Sequence, residues 1–252
     1  MRNVLVIADS TAFHGPTQAE LLTHPRLYPN VLARELGVTV DVQARLGWTA
    51  RDAWWALTKD PYVYSVLLPR ADAVVLAVSG CDQLPASLPT YLRDGIAYLR
   101  PGWLRRGVRY AYHRAHPYVV RATGGRVRVL PQAATTHFLT RCVEGIRTFR
   151  PGIPIVGVVP AGYDARYHGF VDRPHRQAVA AAKEWGARLD VPLVDQDEIV
   201  RPHLAAHAIN PDGMHWSWDV HALMGRAFAD ALHAAAGYDA PMRNGLLLRE
   251  PR

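Results

Sequence analysis

The chain has 252 residues and lacks several things, each of which removes a class of protein. Only Cys81 and Cys142 are present, which gives neither a disulfide framework nor a cysteine zinc site. No metal and no cofactor is expected. No apolar run reaches 18 residues, so no membrane span is predicted. No polar tract signals extensive disorder. Lysine is scarce: Lys59 and Lys183 are the whole supply, so the formal net charge of +7 rests on arginine. Such a surplus suits phosphate, carboxylate or nucleic-acid recognition. No nucleic-acid motif accompanies it, and no nucleic-acid partner is expected. The opening "MRNVLVIADS" has one Arg and a short apolar run cut by Asp9, with no small-residue cleavage site. It reads as a first strand rather than a signal peptide, and a cytoplasmic location follows as the expectation. The nucleophile motif G-x-S-x-G is also missing.

What is present is an alternation. Val4–Ala8 reads as a strand, Tyr28–Leu36 as a helix stopped by Gly37, and Val38–Val42 as a second strand. Thr49 with Asp52 outlines a capping box ahead of "ARDAWWALTKD". Ala73–Val78 is continuously apolar, as in a strand buried on both faces. Helical spacing returns between Thr136 and Phe149, then a β-branched run from Ile153 to Val159. A helical stretch from Pro174 to Leu189, a short strand over Val191–Val194 and a last helix from Ser217 complete the chain. Repeated strand–helix alternation predicts an α/β fold: a single-domain, three-layer α/β/α sandwich over residues 1–252 with a central parallel sheet. Residues from about 84 to 131 interrupt the alternation and read as an Arg-rich insertion, and residues from about 237 to 252 as a loosely held tail.

Parallel sheets gather reactive groups at the carboxyl ends of their strands. Ser10 stands just past the first strand and Gly80 just past the run ending at Val78. Near the other end, "NPDGMHWSW" holds Asp212 and His215 three residues apart across a Gly turn. A serine hydroxyl needs a base to take its proton, histidine is the usual base, and a carboxylate on its other nitrogen fixes the tautomer. Ser10, His215 and Asp212 are therefore the candidate nucleophile, base and orienting acid. Taken alone, the Asp-Gly pair is also ordinary turn chemistry.

Four blocks together resemble the SGNH (GDSL-type) hydrolase superfamily: Ala8-Asp9-Ser10, Gly47 in "RLGWTARD", "SGCDQLP" and Asp212-Gly213-Met214-His215. The resemblance implies a flavodoxin-like sheet and an oxyanion hole built from Ser10, Gly47 and the third block. That block lacks the family's Asn. Asp82 stands in its place if Gly80 matches the family Gly, and Cys81 does if the match shifts by one. An ionised Asp82 cannot donate to an oxyanion. The strings "GWTARDAWWALTKDP" and "NPDGMHWSWDVHA" further resemble a branch of these enzymes that acylates glucosylglycerates in methylglucose lipopolysaccharide synthesis. This implies octanoyl-CoA, or a similar acyl-CoA, as donor and a glucosylglycerate-type sugar as acceptor. The same residues also suit an esterase or thioesterase.

From Gly95 to Val143 the chain has nine Arg and no Asp or Glu, with Trp103, Tyr110, Tyr112 and Tyr118 interleaved. Guanidinium forks suit phosphate or carboxylate, and Arg105 and Arg106 are the candidate contacts. A solvated basic helix fits the same composition. Trp48 and Trp216 adjoin the second and fourth blocks and are read as substrate-binding, with His14 as a further neighbour. His203 and His207 share a helical spacing without a third ligand nearby.

Overall fold

Alternate residues of the first strand enter different layers. In the computed structural model, which describes residues 1–236, Leu5 and Ile7 join one apolar cluster while Val4, Val6 and Ala8 join another. The chain runs β1 (Asn3–Ala8), α1 (Tyr28–Leu36), β2 (Thr39–Ala44), α2 (Ala50–Lys59), α3 (Leu68–Arg70) and β3 (Ala73–Ala77). It continues with α4 (Thr90–Gly95), α5 (Gly102–Thr123), α6 (Gln132–Phe149), β4 (Ile155–Val159), α7 (Arg173–Leu189), β5 (Leu193–Asp195), α8 (Gln196–Ala205) and α9 (Trp218–Ala235). The five strands are parallel in the order β2-β1-β3-β4-β5. β1 is thus flanked by β2 and β3, and the chain reverses direction across the sheet there. Ligand sites of open α/β sheets form at such a switch point.

Helices α2, α6 and α7 cover the Leu5–Ile7 face, and α1, α8 and α9 the other, which gives the expected three layers. Burial on both faces explains the unbroken apolar runs of β1 and β3. The predicted caps form. Gly37 ends α1 in the left-handed conformation, Thr49 and Asp52 close the box at α2, and the Ser217 hydroxyl accepts from Val220 N–H at α9.

The segment at 84–131 is helical, as α4 and α5, and closed at its neck by antiparallel pairing. Ala86 N–H donates to Val127 O at 2.9 Å and Val129 N–H to Leu84 O at 3.0 Å. The C-terminal tail at 237–252 lies outside the described residues. Among the described residues no helix is long and apolar enough to cross a membrane.

Candidate active site

The turn after β1 puts a hydroxyl where a strand end and a sheet switch point coincide. Asp9 caps a short helical turn, Ser10–Ala12, by accepting from Thr11 N–H at 3.0 Å and Thr11 Oγ1 at 2.7 Å. Ser10 opens that turn, so its N–H is one of the donors a helix leaves without an internal acceptor. Ser10 is 5% exposed and its hydroxyl donates to His215 Nε2 at 2.9 Å. His215 Nδ1–H donates to Asp212 Oδ2 at 2.5 Å, which settles the tautomer.

Asp212 also holds the turn that carries His215. Its Oδ1 accepts from Met214 N–H at 2.8 Å and His215 N–H at 2.9 Å. Gly213 between them has φ +73°, and a Cβ there would lie 2.1 Å from Asp164 O, so only glycine fits. Burial pushes the Asp212 carboxyl up, but the hydrogen bonds from the His215 ring and the two backbone N–H groups outweigh it and hold it at about 2. Ser10, His215 and Asp212, distant in sequence, thus form one connected relay. It can take a proton from the hydroxyl and stabilise the resulting imidazolium.

The relay lies in a cleft of about 170 Å³, walled by Leu46, Leu84, Ala161, Met214 and Trp216 and reached by Gly47, Gly80 and Cys81. Gly47 has φ +71°, a backbone state that favours glycine, and among the described residues its N–H has no partner. His14 stacks on His215 with ring centroids 3.7 Å apart, while its Nδ1–H donates to Gly15 O at 2.8 Å. His14, Asp212 and His215 bring ligand-type atoms within 4.8 Å of one another. Both His215 nitrogens are engaged, one by Asp212 and one by Ser10.

The other candidates fall at different places, and Asp82, Trp48 and Arg106 fall outside the cleft. Asp82 is not in the cleft. Both its oxygens accept from Ala50 N–H at 3.1 Å, at the start of α2, and Oδ1 accepts from Thr135 at 2.9 Å. A helix start supplies orphan N–H groups, and Asp82 answers one of them. Cys81, unlike Asp82, lines the cleft, with Gly80, Gln83 and Leu84 of the same block. Ser79, with φ +112°, sits two residues before Cys81. Burial raises the Cys81 thiol well above its usual value, and its S–H is directed at Asp9. Trp48 packs against the core under Arg45 and borders a separate groove with Trp55, away from the cleft. Trp216 does reach the cleft, but as a core residue only 1% exposed, packed on Tyr28 and His221. Arg105 faces a second cavity, whereas Arg106 is exposed and lines neither.

Two further residues support the site. His221 is fully buried; its Nδ1 accepts from Tyr28 N–H at 3.2 Å and its Nε2–H donates to His14 O at 3.0 Å. It ties α1 and α9 to the Ser10 turn, and burial brings its pKa down to about 4. Its phase was visible: positions 220, 221, 224 and 228 share one helical face. Gln83, also in the cleft wall, donates to Ala161 O at 2.8 Å and accepts from His175 Nδ1 at 2.7 Å, with His175 Nε2 on Asp197 at 2.9 Å. Nothing in its composition marks that network beforehand.

Asp82 offers a clean check. Burial pushes its carboxyl up to about 7, against roughly 4 in an unfolded chain. Its contribution to stability is full below about pH 4 and is lost as pH rises through about 7. Asp82→Asn, which keeps an acceptor for Ala50, will flatten the fall of unfolding free energy between pH 4 and 7 and change kcat less than about threefold. Denaturant melts across that range, beside steady-state rates, measure both. A turnover rate lowered by about 100-fold or more would put Asp82 back in the oxyanion hole.

No family model matches the sequence. Several solved structures superpose on nearly the whole chain. The lipase/acylhydrolase from Enterococcus faecalis does so with a TM-score of 0.62 over 93% of this chain and 96% of its own, at 16% identity. A carbohydrate acetylesterase family member from Sinorhizobium meliloti gives 0.59 over 94% and 100%, at 15% identity. A putative lipolytic protein of the G-D-S-L family from Desulfitobacterium hafniense gives 0.55 over 92% and 100%, at 14% identity. The fold is that of the SGNH (GDSL-type) hydrolases. Sequence similarity narrows the class. The diglucosylglycerate octanoyltransferase of Mycobacterium tuberculosis is 39% identical over 232 residues, 92% of each chain. Its namesake from Mycolicibacterium hassiacum is 37% identical over 92% of this chain and 95% of its own. The chain belongs to the diglucosylglycerate octanoyltransferase family and is an acyltransferase.

Proposed function

We propose that the chain, acting as one catalytic domain, moves an octanoyl group from an acyl-CoA to a hydroxyl of a glucosylglycerate-type acceptor. This is a step of methylglucose lipopolysaccharide synthesis, and it runs through an acyl-enzyme on Ser10. The relay of Ser10, His215 and Asp212 at 2.9 and 2.5 Å carries this reading. His215 takes the Ser10 proton as the oxygen attacks the thioester carbon. The N–H groups of Ser10 and Gly47 receive the developing oxyanion. The carbon–sulfur bond breaks, His215 returns the proton to the CoA thiolate, and an octanoyl ester remains on Ser10. The acceptor hydroxyl then gives its proton to His215 and attacks the ester, and the proton passes back to Ser10. The apolar cleft wall of Leu46, Leu84 and Met214 suits an alkyl chain. The octanoyl and sugar assignments follow the names of the two relatives. The free thiols of Cys81 and Cys142 agree with a reducing, cytoplasmic setting.

Catalytic residues do not separate transfer from hydrolysis; the acceptor hydroxyl and the exclusion of water do. CoA release from octanoyl-CoA is expected to be slow alone and to rise at least tenfold with a glucosylglycerate. Intact-mass spectrometry before acceptor is added should show one octanoyl increment on Ser10. Release that is fast and indifferent to acceptor makes the protein an esterase or thioesterase.

A further inference from the structure

A second cavity, about 430 Å³ against 170 Å³ for the cleft, lies between the 93–97 segment, one face of α5 and the 167–168 turn. Positions 105, 109, 112 and 116 of α5 follow a helical step and line it together. Three guanidinium groups, from Arg93, Arg105 and Arg109, meet one carboxylate, Asp94. Asp94 is taken by Arg93 at 3.0 Å. Arg105 reaches only the Ala97 carbonyl, at 3.4 Å, and Arg109 has no partner among the described residues. Beyond Asp94, the cationic surplus in this cavity has no counter-charge among the described lining residues.

His116 adds an independent sign. It is 2% exposed and stacked on Tyr167 at 4.3 Å. Its Nδ1 pairs with the Ser87 hydroxyl at 2.8 Å, and its Nε2 is buried without a partner among the described residues. Buried polar atoms are nearly always paired, and this one is left over on a residue that lines a cationic cavity. Burial, with the nearby His168, His113 and Arg93, brings the His116 pKa down to about 4, so near neutrality the ring is uncharged.

The cavity also neighbours the relay. Leu84 walls the cleft and Ala86, two residues on, walls the cavity. Two extended residues span about 7 Å. The Tyr163 ring in the cleft lies 6.0 Å from the His168 ring in the cavity. The two sites therefore adjoin, within the reach of one extended molecule.

We propose that this cavity is an anion subsite, which grips the phosphate or carboxylate end of a substrate while its reacting end lies at Ser10. The assignment rests on the acyl-transfer reading. Its two sources are the phosphates of the CoA donor and the carboxylate of the glycerate acceptor. Both present oxygens that guanidinium forks match.

Calorimetric titration of CoA, and separately of a glucosylglycerate, into the wild-type protein and into an Arg105→Ala/Arg109→Ala variant tests it without turnover. Binding of one ligand should weaken at least tenfold and the other little. The affected ligand identifies the source. His116→Phe, which keeps a ring on Tyr167 and removes the unpartnered nitrogen, should weaken the same ligand. Ser10 acylation by p-nitrophenyl octanoate, which carries no anionic end, should stay within threefold of wild type. Unchanged affinity for both ligands in the folded double variant overturns the subsite. Failure of Ser10 to acylate in the wild type overturns the acyl-enzyme instead, and the titrations then decide the subsite on their own.

Discussion

Ser10→Ala will lower the rate of octanoyl transfer by about 10⁴- to 10⁶-fold, and His215→Ala will do the same. The two side chains act as a unit through the 2.9 Å contact. Removing both should therefore cost little more than removing either. Each loss acts at a different point. Without Ser10 there is no oxygen to receive the acyl group. Without His215 the hydroxyl keeps its proton and the thiolate leaves unprotonated. The backbone donors at Ser10 and Gly47 survive both changes, so a residual rate above the uncatalysed one is expected. Single-turnover CoA release, with intact-mass detection of the acyl-enzyme, measures each step. Ser10→Ala protein that transfers at a near-normal rate would end the covalent scheme.

The sequence was most legible where residue type and helical or strand period point the same way. β1, β3, α1, α6, α7 and α9 declare themselves by apolar period, and Gly37, Thr49 and Ser217 by cap chemistry. Helix α5 does not: of its 22 residues only His116 and Val120 are buried, so no apolar stripe runs along it. Helix α8 had a start signal, the Asp195 side chain accepting from Glu198 N–H. It follows the three-residue strand β5 without a break, and its apolar positions are few. The same limit governs the site. Ser10, Asp212 and His215 are legible because their chemistry is uncommon in combination. Asp82 and Cys81 are adjacent in sequence, and only the backbone path after β3 decides which of them faces the cleft. Trp48 follows Gly47, yet its ring turns toward the core. Neighbourhood along the chain does not fix the direction of a side chain. Arg105 and Arg106 differ by one helical step of about 100°, enough to put one in a cavity and the other in solvent.

Asp212→Asn should cost about 10⁴-fold in kcat while leaving the fold nearly as stable, because the two oxygens of Asp212 do different work. Oδ1 accepts from the N–H groups of Met214 and His215, and Oδ2 from the His215 ring. An Asn that keeps its oxygen at the backbone N–H groups must turn its NH₂ toward His215 Nδ1. That nitrogen then becomes an acceptor, the ring proton moves to Nε2, and Ser10 faces a donor where it needs a base. Asp212→Ala loses the base in the same way and also strips the turn at Gly213 of its acceptor. It should match Asn in kcat and fall below it in stability by about 1–3 kcal/mol. Asp212 is held at about 2, so this support for the wild-type turn persists across ordinary pH and is lost only as pH falls from about 4 through 2. Rates and denaturant melts of the pair, run together at neutral pH, separate the two duties. An Asn variant within tenfold of wild type would mean that His215 is oriented by something else, with the stacked His14 ring the first group to test.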